Sequence, residues 1–209
     1  MKIDVAVSSL KLLKTDLLAV GIFEDERLNP DAKAADSVLN GELSVILRKE
    51  EFKGEFKQTR LLSTGKGIRN ILLVGLGKKD DFDLERLRKV SAVAAKAARN
   101  NRIKSFSTIL HRIEIKNRSV AEKAQAVAEA AILGLYKFNK YKTEKNDFVV
   151  GSLTIVEEDK RNAKAIEDSA NVGQVIADAT NYVRDLVNGP AGFVTPSALA
   201  EEARRIARE

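Results

Sequence analysis

Two unbroken apolar runs, Leu17–Phe23 and Ile71–Val74, constrain this chain most. Each is short for a buried helix and gives no position to solvent, so each reads as a strand covered on both faces. A strand buried twice needs a layer on either side, and the intervening segments supply them. Pro30-Asp31 opens a helical stretch to about Leu39; Gly41 breaks it, and Leu43, Ile46 and Leu47 suggest a further turn or two. Asp83 is a good N-cap, with Phe82 placed to staple against Leu87, and Leu87, Val90, Ala94 and Ala97 follow at helical spacing as far as Asn100-Asn101. Ser119 to Glu122 has capping-box spacing ahead of a stripe of Val120, Ala124, Val127, Ala131 and Leu135, where Gly134 is expected to permit close packing on the sheet. From Asp159 a long helix carries Ile166, Ala170, Gly173, Ala177, Thr180, Val183 and Val187, until Asn188-Gly189-Pro190 stops it.

Further strands are expected at Ile3–Val7, at Phe56–Leu62 by alternation, at Phe106–Leu110, and at Val149–Val156 with Gly151 interrupting. Gly65-Lys66-Gly67 is a turn. Strands alternating with helices mean an α/β fold, a sheet flanked by helices.

Composition removes much chemistry. The 209 residues include no Cys, which excludes disulfides, thiolate nucleophiles and cysteine metal sites. One His, His111, excludes any site needing two imidazoles. Asp4 spoils a signal peptide, and Leu17–Phe23 falls far short of the ~20 residues of a spanning helix. A soluble, cytoplasmic protein without a membrane partner is expected.

The net charge of +6 is uneven: residues 51–118 hold 17 basic and 7 acidic groups, while both flanks are slightly acidic. That stretch could dock nucleic acid, although only Phe52, Phe56, Phe82 and Phe106 interleave with its charges and no RNA- or DNA-binding motif is present. The bland alternative is a solvated face.

No motif assembles an active site. Gly75-Leu76-Gly77 between strand and helix invites a phosphate-loop reading, but Asp80, Asp81 and Asp83 crowd the helix start that a phosphate would need. Asp81-Phe82-Asp83 lacks the glycine of a calcium loop, since Arg86 stands there. His111, at the end of an apolar strand, has no patterned carboxylate, and Glu157-Glu158-Asp159 sits at a helix start where acids are favoured anyway. Thr195 caps a last helix begun by Pro196, whose stripe of Leu199, Ala203 and Ile206 stops short at Glu209. The chain is therefore read as the first part of a longer protein.

Three segments carry a resemblance. They are Val74-Gly75-Leu76-Gly77-Lys78-Lys79 with Leu84, Leu87 and Arg88; Ala128 to Phe138 running on to Tyr141-Lys142-Thr143; and Arg184 to Pro190 with Thr195-Pro196 and Leu199-Ala200. Together they resemble the N-terminal region of the leucyl (cytosol) aminopeptidases, two-domain metallopeptidases. The resemblance implies a macro-domain-like mixed sheet over 1–158, a long connecting helix over 159–188, and over 189–209 a linker with the first helix of a catalytic domain. It implies a hydrolase with two divalent metals, zinc or manganese, held in that C-terminal domain by motifs containing Asp-Ser-Gly-Gly and Asn-Thr-Asp-Ala-Glu-Gly-Arg. Neither motif occurs here. No catalytic, cofactor-binding or metal residue is therefore assigned, and these residues are expected to be inactive alone. The implied partners are the protein's own catalytic domain and further copies in a hexamer, with this domain serving assembly or regulation. Macro-domain similarity adds a further candidate ligand, ADP-ribose at the Gly75–Gly77 turn.

Overall fold

The computed structural model describes residues 1–26, 29–49, 52–64, 67–143 and 148–208. Its strands are β1 (Lys2–Val7), β2 (Leu18–Phe23), β3 (Thr59–Ser63), β4 (Asn70–Gly77), β5 (Ser105–Thr108) and β6 (Ser152–Glu157). Its α-helices are α1 (Pro30–Val38), α2 (Glu42–Arg48), α3 (Leu84–Asn100), α4 (Val120–Leu135), α5 (Lys160–Asn188) and α6 (Pro196–Ile206). The strands form one sheet in the order β1-β6-β5-β2-β4-β3, parallel except for β3, which pairs antiparallel with β4 at the edge.

The two apolar runs lie side by side at its centre as β2 and β4. Their residues split by parity. Leu17, Ala19, Phe23, Leu72, Val74 and Leu76 enter the core beneath α3, α4 and α5, while Leu18, Val20, Ile22, Ile71 and Leu73 enter the core beneath α1 and α2. Period-two alternation thus builds two cores from one pair of strands.

Local capping follows the sequence closely. Asn29, Asp83, Ser119, Asp159 and Thr195 each accept a backbone N–H of the helix they precede, and Ser119 with Glu122 closes a full capping box.

Several expectations need correction. β3 begins at Thr59; residues 53–58 instead cross the end of β4, pinned by the Gln58 side-chain oxygen, which accepts from the backbone N–H groups of Lys53 and Gly54 at 3.1 Å. β5 stops at Thr108, so His111 lies in a 3-10 turn, Leu110–Arg112. Gly151 precedes β6 rather than interrupting it. Gly134 faces α3, where an added Cβ would come within 2.8 Å of the Ala92 Cβ, not the sheet. On α5 the buried stripe runs Ile166, Ala170, Gly173, Ala177 and then stops; Val183 and Val187 are exposed. Of the Gly65-Lys66-Gly67 turn, the first two residues lie outside the described residues.

Candidate functional site

In an open parallel sheet, ligands gather where neighbouring strands send the chain in opposite directions from their carboxyl ends. Here those strands are β2 and β5. From β2 the chain leaves through α1 and α2 toward β3 and β4, whereas from β5 it leaves through α4 toward β6. The divergence opens a cleft of about 290 Å³ lined by Phe23 at the end of β2 and Glu26 beyond it, Asn29, Pro30 and Asp31 at the start of α1, Lys79 after β4, and Arg112, Ile113 and Glu114 after β5. Sequence reasoning missed it, because its residues are 91 positions apart at the extremes and belong to four segments.

Beneath the cleft lies a buried polar cluster. His111 is wholly buried and its Nε2 stands 3.3 Å from Glu157 Oε2. Burial pushes the imidazole pKa down, so the ring is neutral and donates its Nε2–H to the carboxylate. Glu157 also accepts the backbone N–H groups of Glu158 at 2.7 Å and Asp159 at 2.9 Å. The His111 hydrogen bond first, then these amides, hold its pKa at about 2. The sequence placed Glu157 with Glu158 and Asp159 at a helix start; it is instead the last residue of β6, turned inward. Lys123, on the buried side of α4, donates to the Ile113 carbonyl at 2.8 Å, and burial lowers its pKa. Arg112 donates through Nε to the Val156 carbonyl at 3.2 Å and faces Asp31 and Glu158 at 3.7 and 3.5 Å. Asp31 is raised by burial, against the pull of Arg112.

The glycine turn is not a phosphate cradle. Gly75 is glycine because segment 54–55 lies on its backbone: an added Cβ would fall 1.9 Å from the Glu55 carbonyl oxygen. The Gly77 N–H is already bonded to the Gly54 carbonyl at 2.9 Å. At the start of the next turn, the Lys79 N–H is taken by the protein's own anion, the Asp25 carboxylate, at 3.2 Å. Asp83 caps α3, and Asp81 faces Arg86 at 3.4 Å.

The basic middle stretch is dispersed over β3, β4, α3 and the turns. Arg69 pairs with Asp16, Lys79 with Glu26, Arg88 with Glu85 and Glu129, Lys89 with Glu85, and Arg118 with Glu122. Phe52, Phe82 and Phe106 are core residues, and Phe56 lies under Arg86 and Lys57. These rings do not form the stacking platform that single-stranded nucleic acid uses.

Among the described residues no three His, Asp or Glu side chains form a group that could hold a metal ion, so no step through a metal is assigned to them. Among the described residues, too, no helix is long and apolar enough to cross a membrane.

Comparison with known proteins gives one answer. Residues 19–145, more than half of the chain, match the family model "Cytosol aminopeptidase family, N-terminal domain". Proteins described as probable cytosol aminopeptidases align over nearly the whole chain. The one from Alkaliphilus metalliredigens is 33% identical and covers 100% of this chain; the one from Geobacter sp. strain M21 is 35% identical and covers 99%. The chain spans only 43% and 42% of those two relatives. Among solved structures, a tomato leucine aminopeptidase mutant superposes with a TM-score of 0.84 at 28% identity, over 100% of this chain and 42% of that one. The bottromycin maturation enzyme BotP gives 0.71 at 25% identity, over 93% and 37%.

Proposed function

The chain belongs to the cytosol aminopeptidase family, as its N-terminal domain, and on that premise we propose that it is the noncatalytic part of a cytoplasmic, metal-dependent aminopeptidase that releases N-terminal residues from peptides. The observation that carries this reading is the match along the entire chain to relatives more than twice as long. Within it, residues 1–158 form the N-terminal domain proper, 159–188 connect, and 189–209 lead into a catalytic domain that holds two divalent ions, zinc or manganese, supplying the water activation and carbonyl polarisation of hydrolysis.

The chain's own residues contribute structure to this reaction. They give a two-core platform, and α5, tied to the end of α4 through Arg184 and the Leu133 carbonyl and through Asp185 and Tyr136, keeps Val172, Val175, Ile176, Val183 and Val187 exposed. Such a surface suits burial against the catalytic domain or other copies in a hexamer. The role is assembly or regulation rather than chemistry.

The test compares two proteins on leucine p-nitroanilide with manganese or zinc supplied. The 209-residue chain should fold and leave the substrate intact, and a protein of the relatives' full length should cleave it. Metal-dependent turnover by the short chain, or none by the long one, overturns the assignment.

A further inference from the structure

The cleft between β2 and β5 has no part in the proposed function, yet it has the features of a built site. It lies at the topological switch point, and its lining carries both signs of charge beside the apolar Phe23, Pro30 and Ile113. Its acids are Glu26, Asp31 and Glu114, and its bases are Lys79 and Arg112.

The two signs are not spent on each other equally. Lys79 and Glu26 form a close pair at 2.6 Å across the rim. Arg112 is looser. Its side chain is only 15% exposed, its two carboxylate neighbours stand 3.7 and 3.5 Å from Nη1, at the outer edge of hydrogen-bonding distance, and the buried Nη2 has no hydrogen-bond partner. A guanidinium offers five N–H donors, and here one, Nε–H, is in a normal hydrogen bond to the protein. Asp31 is similarly underused: its side chain is 20% exposed, and its nearest cation is that same Arg112 at 3.7 Å. Glu114 is exposed beside them.

This arrangement discriminates among ligand classes. A phosphate or dinucleotide would bring negative charge against three carboxylates, and the anion position at Lys79 N–H is filled by Asp25. A simple cation would meet the buried guanidinium. A small zwitterion satisfies both, placing a carboxylate beside the Arg112 guanidinium, whose charge Asp31 and Glu158 meet only at 3.7 and 3.5 Å, and an ammonium between the acids. The cavity volume sits at the floor of the roughly 300–1,000 Å³ typical of drug-sized pockets, which suits a single amino acid better than a nucleotide.

We propose that this cleft binds a free α-amino acid with an apolar side chain, its carboxylate against Arg112, its ammonium against Asp31 and Glu114, and its side chain over Phe23 and Ile113. Free amino acids are what an aminopeptidase releases, so the cleft senses product; that clause rests on the proposed function, while the binding itself does not.

The experiment is an NMR titration of the ¹⁵N-labelled 209-residue chain with L-leucine, leucinamide, 4-methylpentanoate and ADP-ribose. Leucine should give saturable shifts at Asn29, Asp31, Ile113 and Glu114, with a Kd of about 1 mM. Leucinamide, lacking the carboxylate, and 4-methylpentanoate, lacking the ammonium, should each bind at least roughly tenfold more weakly. Glu114→Gln, at an exposed position that leaves the fold intact, should weaken leucine roughly fivefold. Equal binding of either half-molecule, saturation of these amides by ADP-ribose in place of leucine, or no saturation by roughly 20 mM leucine overturns the proposal. If leucine fails to bind while the longer protein cleaves leucine p-nitroanilide, this inference alone falls; if it binds while the longer protein is inert, the aminopeptidase reading falls and the site stands.

Discussion

At Glu157 three donors converge on one carboxylate: the His111 Nε2–H and the amides of Glu158 and Asp159. Together they tie the end of β6, the turn after β5 and the start of α5 into one knot, so the charge state of this residue reaches three elements. Its folded pKa of about 2 lies below the ordinary value of 4.5, so the stability it contributes is present above pH 4.5 and is lost as pH falls toward about 2. His111 acts in the same direction. Its folded pKa is also depressed, so below about pH 6.5 the unfolded chain takes up a proton that the buried ring resists, and stability declines. Glu157→Gln should cost roughly 1.5–3 kcal/mol at pH 7, the worth of hydrogen bonds to a charged acceptor, and should flatten the acid limb between pH 4.5 and 2. Urea denaturation at pH 7 and pH 3 measures both; an unchanged acid limb in the variant would assign that limb to other groups. Local spacing offers His111 no partner, because Glu157 is 46 residues away and reads as one of three acids at a helix start. A strand's last side chain points in or out according to register, and one residue of shift reverses it.

Among the elements, the close approach of helices is set by single glycines. On α5 an added Cβ at Gly173 would lie 2.6 Å from the Gln125 carbonyl oxygen of α4, and on α4 one at Gly134 would lie 2.8 Å from Ala92 of α3. These contacts stack α3, α4 and α5 into one layer, with Ala95, Ala98, Ala124, Ala128 and Ala131 completing the small-residue interfaces. Gly173→Ala should destabilise the chain by roughly 1–3 kcal/mol, because backbone stands in the way and the helices must separate. Gly192→Ala, with open space around its Cβ, should stay within about 0.5 kcal/mol of the parent. Thermal unfolding of the pair checks this; equal melting temperatures would mean that α5 tolerates displacement from α4. Helix positions were legible from periodicity and caps, since both are local. The object against which Gly134 packs was not, because a small residue signals close approach without saying to what.

For the molecule as a whole, the buried stripe of α5 ends at Ala177, and beyond it Arg184 and Asp185 meet the end of α4 through hydrogen bonds to the Leu133 carbonyl and Tyr136. Val175 and Val187 beyond or beside that stripe are 68% and 78% exposed. Converting both to Lys should leave the unfolding of this chain within about 0.5 kcal/mol, while in a protein of the relatives' full length it should reduce the assembled species seen by light scattering. Undiminished assembly would remove this face from the interface. The two apolar runs, the helix caps, the absence of Cys and the single His determined the α/β class, most element positions and the absence of thiolate and paired-imidazole chemistry from these residues, because each depends on residue type and short-range spacing. Only the tertiary structure decided that β2 and β5 diverge to open a cleft, that Arg112 and Asp31 meet there, and that the glycine turn is covered by residues 54–55. Strand order and side-chain direction fix those meetings, and both come from packing between segments tens of residues apart, which local periodicity does not encode.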